Sequence, residues 1–347
     1  MKRKGLHSAI LSAVLFGMSP VACKLLVDDM PSALLAGLLY LGSGLGLTMV
    51  VLRQKIPAQA LVASLSWRQW GYLVGAILSG GVAAPLFLAY GICYGTASEV
   101  SLLLNFETVA TTLLAWLVFH EQIGLRVWIG KLVIIGASIL VLFTGGDALQ
   151  LSIPGLSVLA ACLLWGVDNN LTREVESLPA PLLACMKGWS AGIFNVLLSL
   201  ILFDSRATAL QVSGTLVIGA LSYGASLVLF INALREIGSA RTSTWFASGP
   251  FIGTILSVLV LGERPPGEYW VALLVMLSGM FFLYGELHRH LHRHERMTHA
   301  HPHKHDEHHL HAHEERELVG RHDHLHTHEP IVHSHVHWPD IHHRHSH

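Results

Sequence analysis

Long apolar runs broken by short polar connections set the pattern of this chain over its first ~285 residues. A helix that crosses a membrane needs about 20 mainly apolar residues. Ten stretches have that character: approximately 7–27, 32–52, 70–92, 97–118, 127–145, 154–173, 181–203, 211–234, 240–261 and 268–286. Turn punctuation separates them, as in DDMP at 28–31, GGDALQ at 145–150 and GERPPGE at 262–268. The connections are too short to hold a soluble domain. After residue 287 the pattern changes to polar and repetitive.

Composition agrees with this reading. Of 347 residues, 52% are hydrophobic and 13% charged, against about a quarter charged in an ordinary soluble domain. The basic start MKRK followed by an apolar run has the look of a signal peptide, but the many later apolar segments favour an uncleaved first membrane helix. Cys23, Cys93, Cys162 and Cys185 lie in apolar segments with no CxxC pair, so neither a disulfide framework nor a thiolate zinc site is read.

Lys and Arg placement gives an orientation. With the N-terminus inside, Lys2, Arg3, Lys4, Arg53, Lys55, Arg68, Arg126, Arg173, Arg235 and Arg241 fall on the cytoplasmic side, while external loops hold Arg206 and Arg264. Both termini are expected in the cytoplasm.

The chain also repeats itself. A shift of 142 lays TASEVSLLLNFETVATTLLAWLVFHEQIGLRVW (96–128) over GSARTSTWFASGPFIGTILSVLVLGERPPGEYW (238–270), pairing Ser101 with Ser243, Thr112 with Thr254, Glu121 with Glu263 and Trp128 with Trp270. A shift of 149 lays VLFGMSPVACK (14–24) over LLWGVDNNLTR (163–173), pairing Lys24 with Arg173. The unit holds five helices, an odd number, so the halves cross the membrane in opposite senses. The expected fold is therefore an all-α polytopic membrane protein of ten transmembrane helices in two inverted five-helix repeats, 1–147 and 148–287, with a disordered tail over 288–347.

These two helix-plus-Glu elements, with LLWGVDNNLTR opening the second half, resemble the EamA-type members of the drug/metabolite transporter superfamily over about residues 7–286. In that family the mid-helix is often Glu-Pro and the end Gly-Glu. Here the mid-helix pairs are Glu107-Thr108 and Gly249-Pro250, and the ends are His120-Glu121 and Gly262-Glu263. Phe16-Gly17 stands where Trp-Gly is usual, and Trp165-Gly166 keeps it. The resemblance implies a ten-helix secondary transporter, often an exporter of amino acids, metabolites or drugs. It implies no particular substrate.

The chain has no GxxxxGK[ST], no HExxH and no nucleophile elbow, so an ATP-driven pump and an enzyme are both disfavoured. Transport is expected to use an existing gradient, with protons as a candidate coupling ion and no cofactor required. Nothing points to nucleic acid; the partners are the lipid bilayer and a small-molecule substrate. Ionisable and polar residues inside spans are the candidate binding groups: Glu107 with Asn105, Asp168 with Asn169, and the aromatics Trp245 and Tyr90. Lys187 lies near a span end and reads as a snorkelling side chain. The repeat-matched Glu121, Glu263, Lys24 and Arg173 read as gating or structural groups at helix ends.

Of 25 histidines, 23 lie in the last 60 residues, in clusters such as HAHPHKH and HDHLHTH. Residues i and i+2 of an extended chain share a side, so His299, His301, His303 and His305, and His322, His324, His326 and His328, are candidate ligands. Imidazole suits Zn, Ni, Co or Cu(II). Dense histidine also titrates near neutral pH, which leaves a pH sensor open. Three functional readings remain: a metabolite exporter with a metal-binding tail, a divalent-metal exporter fed by the tail, and a membrane metal sensor or store that transports nothing.

Overall fold

A computed structural model describes the chain except for residues 1, 29, 120–124, 144–151, 176, 205–206, 238–241, 243–244, 284–287, 295–296, 304–321, 329–330 and 338–347. At 2–3, 119, 173, 234–237, 282–283 and throughout the tail strands the backbone alone is described. The chain divides into two units, Met1–Glu286 and Leu287–His347.

The first unit is helical. In chain order its main helices are α1 (Lys4–Lys24), α2 (Ser32–Arg53), α3 (Trp67–Tyr94), α4 (Ala97–Val118), α5 (Leu125–Leu142), α6 (Ile153–Arg173), α7 (Ala180–Leu202), α8 (Ala209–Ala233), α9 (Gly249–Leu261) and α10 (Gly267–Leu283). Among the described residues, seven of these, α1–α5 with α7 and α8, are long and apolar enough to cross a membrane. The apolar helices Gly249–Leu261 and Gly267–Phe281 are shorter. Helix α6 carries the polar run Asp168, Asn169, Asn170.

Local chemistry sets the boundaries. Ser66 and Thr208 start α3 and α8 with complete capping boxes, their partners being Gln69 and Gln211. Thr96 and Ser152 cap α4 and α6. Gly262, at φ 66°, ends α9 in the left-handed conformation that glycine adopts without a Cβ clash. The stretch expected as a span over 240–261 is helical from Gly249 after a turn at Ala247 and Ser248. Pro250 suits that start, where its missing N–H would have no helical partner.

Irregularities recur at the repeat spacing. Both α3 and α8 widen into a π-helical turn, over Ile77–Ala83 and Gly219–Ala225. The two turns, like the two capping boxes, lie 142 residues apart. Helix α4 is broken at Leu104 and Asn105, between Ala97–Leu103 and Phe106–Phe119.

The packing follows the same correspondence. Helix α2 lies on α7, α5 on α10, and the first half of α4 on α9. Helix α1 packs on α8 as α6 packs on α3; α1 on α9 as α6 on α4; α2 on α8 as α7 on α3. Small residues permit the tightest crossing. A Cβ on Gly42 would lie 2.1 Å from the Leu216 carbonyl oxygen, and one on Gly219 equally close to that of Leu39. Leu35, Leu88, Ile92, Val100, Leu102, Leu103 and Val141 anchor the buried centre of this unit.

In the second unit four strands are described: β1 (His288–His294), β2 (Met297–His303), β3 (His322–His328) and β4 (Ile331–His337). Strand β1 pairs antiparallel with β4, and β2 with β3. The described segments of the His-rich tail run as extended strands. The His-x-His alternation has the period of two that a strand has. The register sets His288, His290 and His292 opposite His337, His335 and His333, and His299, His301 and His303 opposite His326, His324 and His322.

Candidate functional site

Consecutive residues on a helix face different ways, and α6 uses this. Asp168 and Asn170 are buried, while Asn169 between them is exposed. Lys187 of α7 brings its ammonium within 2.5 Å of the Asp168 carboxylate, and both side chains are nearly enclosed. Thr172 Oγ1, one turn along α6, donates to Asp168 Oδ1 at 2.9 Å. Lys187 therefore lies inside the bundle against its carboxylate partner rather than reaching to a membrane surface. A paired and hydrogen-bonded charge is the form in which such groups tolerate a low-dielectric interior.

The π-turn of α3 is shaped around this pair. A Cβ on Gly80 would lie 2.0 Å from Asp168 Oδ2, so only glycine lets the backbone approach the carboxylate. The turn frees main-chain carbonyls for side chains. Gly80 O accepts from Tyr40 Oη at 2.6 Å and from Trp165 Nε1 at 3.1 Å. Asn195 Nδ2 lies 3.4 Å from both Gly81 O and Val82 O.

Glu107 opens the second half of α4 just after the break, where the half-helix N-terminus favours a negative charge. Asn169 Nδ2 donates to Glu107 Oε1 at 2.9 Å and to Thr111 Oγ1 at 3.1 Å. Asn170 Nδ2 donates to Thr111 O and Gly166 O. The two carboxylates read from the sequence are thus brought together through neighbouring residues of α6.

Aromatic rings continue from this polar centre. Phe16 packs on Trp165, Tyr223 and Phe246 with centroids 6.2, 6.0 and 5.2 Å apart. Tyr40 meets Tyr223 at 5.6 Å, and Phe230 meets Phe246 at 4.7 Å. Trp245, half-buried, accepts at its carbonyl from Ser248 Oγ, and its neighbour Phe246 supplies the ring in the cluster.

Other candidates stand elsewhere. Tyr90 is 37% exposed and meets Tyr94 with ring centroids 4.6 Å apart. Asn105 is buried against α10, with Nδ2 near Leu102 O and Met276 Sδ. Lys24 and Glu263 bind main-chain groups at helix ends. Glu121 and His305 lie outside the described residues, as does the Arg173 side chain; of the other tail histidines the backbone register is described. Among the described residues no group of three or more His, Cys, Asp or Glu gathers as a metal site. Tyr40 and the Asp168–Lys187 pairing escaped sequence reasoning. Tyr40 looks like any apolar-segment aromatic, and nothing local links residues 19 apart on different helices.

Comparison with known proteins places this arrangement. Residues 3–143 and 153–285 each match the EamA-like transporter family. An uncharacterized transporter of Methanothermobacter thermautotrophicus is 26% identical over 299 residues, spanning 81% of this chain and 86% of its own. A protein of Salmonella typhimurium named "Probable amino-acid metabolite efflux pump" is 26% identical over 81% of this chain and 95% of its own length. An Escherichia coli protein of the same name is 23% identical with equal coverage. One crystal structure shares the fold at a TM-score of 0.61 and 16% identity, covering 81% of this chain and 94% of its own. With its apolar helices, the chain is an integral membrane protein.

Proposed function

The chain belongs to the EamA-like transporter family, and from that premise we propose that it is a secondary exporter of a small zwitterionic metabolite, of the amino-acid class. The carrying observation is the Asp168–Lys187 pair beside Glu107 at the break in α4. An ammonium and two carboxylates at the centre of an apolar bundle match the carboxylate and amine of a zwitterion, and the surrounding rings supply apolar contact. Two relatives are named amino-acid metabolite efflux pumps, which supports the same class.

The architecture in this reading is ten membrane helices in two inverted five-helix repeats. The two family matches, the π-turns and capping boxes 142 residues apart, and the paired helix contacts all favour it. The protein sits in a bacterial inner membrane with both termini cytoplasmic. With no nucleotide-binding motif, a gradient of substrate or protons drives export. The tail binds Zn, Ni, Co or Cu(II) through its cross-strand histidine pairs. Its place here is regulatory. A metal exporter is the weaker reading, because the polar groups gathered in the helical unit are carboxylates, amides and an amine rather than imidazoles.

Reconstitution tests this. Proteoliposomes loaded with labelled amino acids are expected to lose at least one of them faster than protein-free vesicles, and Glu107→Gln is expected to slow that loss about tenfold or more. Movement of Ni2+ or Zn2+ with no movement of any amino acid would overturn the proposal.

A further inference from the structure

The π-turn of α3 presents oxygen atoms that the Asp168–Lys187 pair does not use. Pro85, just past the turn, has no N–H to return to the carbonyls of Gly80 and Gly81. Gly80 O is answered by Tyr40 and Trp165. Gly81 O and Val82 O meet the Asn195 side-chain amide instead. At 3.4 Å both contacts are longer than the about 2.9–3.0 Å of a normal N–H···O bond.

Helix α7 brings further oxygens to the same place. Lys187, Ala191, Asn195 and Ser199 recur every fourth residue and share one face of it. That face lies along the turn. Lys187 stands at Asp168, beside Gly80; a Cβ on Gly81 would lie 2.9 Å from Ala191 Cβ; Asn195 reaches Gly81 and Val82. Asn195 and Ser199 are both 0% exposed. Among the described residues, neither Asn195 Oδ1 nor Ser199 Oγ has a hydrogen-bond partner. Ser138 on α5 shows the usual outcome for a helical serine, donating to Ile134 O one turn back. Ser199 does not take that route. Two fully buried, unanswered oxygens one turn apart call for a ligand.

We propose that this place binds one Na+ ion through Gly81 O, Val82 O, Asn195 Oδ1 and Ser199 Oγ. All four are hard oxygen donors of the kind that alkali and alkaline-earth cations take. None is a carboxylate, so the set suits a single positive charge better than a divalent ion in an apolar interior. Main-chain carbonyls at an interruption in a membrane helix are a known way to hold Na+. Asn195 can serve either way, because its amide carries a donor and an acceptor. Turning the amide over brings Oδ1 to the two carbonyls, an arrangement of oxygens that only a cation favours. The Asp168–Lys187 pair, two turns away on α7, is neutral as a pair and does not oppose the ion. The site goes beyond the exporter reading and does not depend on which cargo is carried.

Equilibrium binding of radiolabelled Na+ to the purified full-length protein in detergent tests this without any amino acid present. Saturable binding of about one ion per chain is expected, displaced by unlabelled Na+ and not by N-methylglucamine. Asn195→Leu and Ser199→Ala are each expected to weaken it about tenfold or more. Asn195→Asp, which adds a charge of opposite sign, is expected to tighten it about tenfold. At equal ionic strength, Na+ in place of N-methylglucamine is expected to raise the melting temperature of the unaltered protein and to leave that of Asn195→Leu unchanged. If Asn195→Leu does not fold, Ser199→Ala and Asn195→Asp read the same site. No saturable Na+ binding, the result expected of an ordered water in the same place, would overturn the proposal. So would saturable binding that all three substitutions leave unchanged. Na+ binding without amino-acid efflux upholds the site and sinks the proposed cargo; efflux without Na+ binding does the reverse.

Discussion

Asp168 and Lys187 show how much one buried charge depends on another. Their carboxylate and ammonium meet at 2.5 Å with side chains 6% and 10% exposed. Removing one partner strands the other in a low-dielectric interior, at about 3–5 kcal/mol. Lys187→Met is therefore expected to lower stability by about that amount, and Asp168→Asn combined with Lys187→Met to recover much of it. Thermal unfolding of the purified proteins in detergent checks this; a double variant no more stable than Lys187→Met would contradict it. At this scale the sequence was half legible. Asp168 and Glu107 stand out because ionisable residues are rare in apolar runs. Asp168's partner does not, because an ion pair across two helices leaves no local pattern. Position within its span made Lys187 look like an end residue, whereas the structure buries it against Asp168 of α6. Tyr90 is 37% exposed beside Tyr94, a placement that an aromatic in an apolar run does not announce.

Helix boundaries follow from residues that the sequence displays. Ser66 with Gln69, and Thr208 with Gln211, are recognisable capping boxes. The π-turns are not recognisable in that way. In the first, Tyr40 and Trp165 recruit Gly80 O, a tertiary contact that the local sequence does not display. The glycines at these turns were visible, but the reason for them was not. Gly80→Ala is expected to destabilise the protein by about 1–3 kcal/mol or to prevent its folding, since the new Cβ would overlap Asp168. Gly71→Ala, where a Cβ meets nothing within 4 Å, is expected to be neutral or slightly stabilising. Size-exclusion profiles and melting temperatures of the two variants provide the comparison; equal behaviour would contradict the close-approach argument.

For the whole molecule, hydropathy marked the apolar helices, seven of which among the described residues are long enough to span a membrane, and the family model matches twice, over 3–143 and 153–285. In the tail, His-x-His alternation was legible as composition and as the side-sharing of an extended chain, while the pairing of β1 with β4 and β2 with β3 joins segments far apart in sequence. Ending the chain at residue 287 is expected to abolish tight Ni2+ or Zn2+ binding while leaving amino-acid export intact, as calorimetry and flux on the same preparation would report. Loss of export with the tail would instead tie transport to metal. The most direct measurement of the central claim is flux of a labelled amino-acid mixture from proteoliposomes holding the full-length protein, beside vesicles holding Glu107→Gln. The account predicts protein-dependent efflux of at least one small zwitterion, strongly reduced by that substitution. Efflux of no amino acid, with passage of a divalent metal ion through the same vesicles, would contradict it.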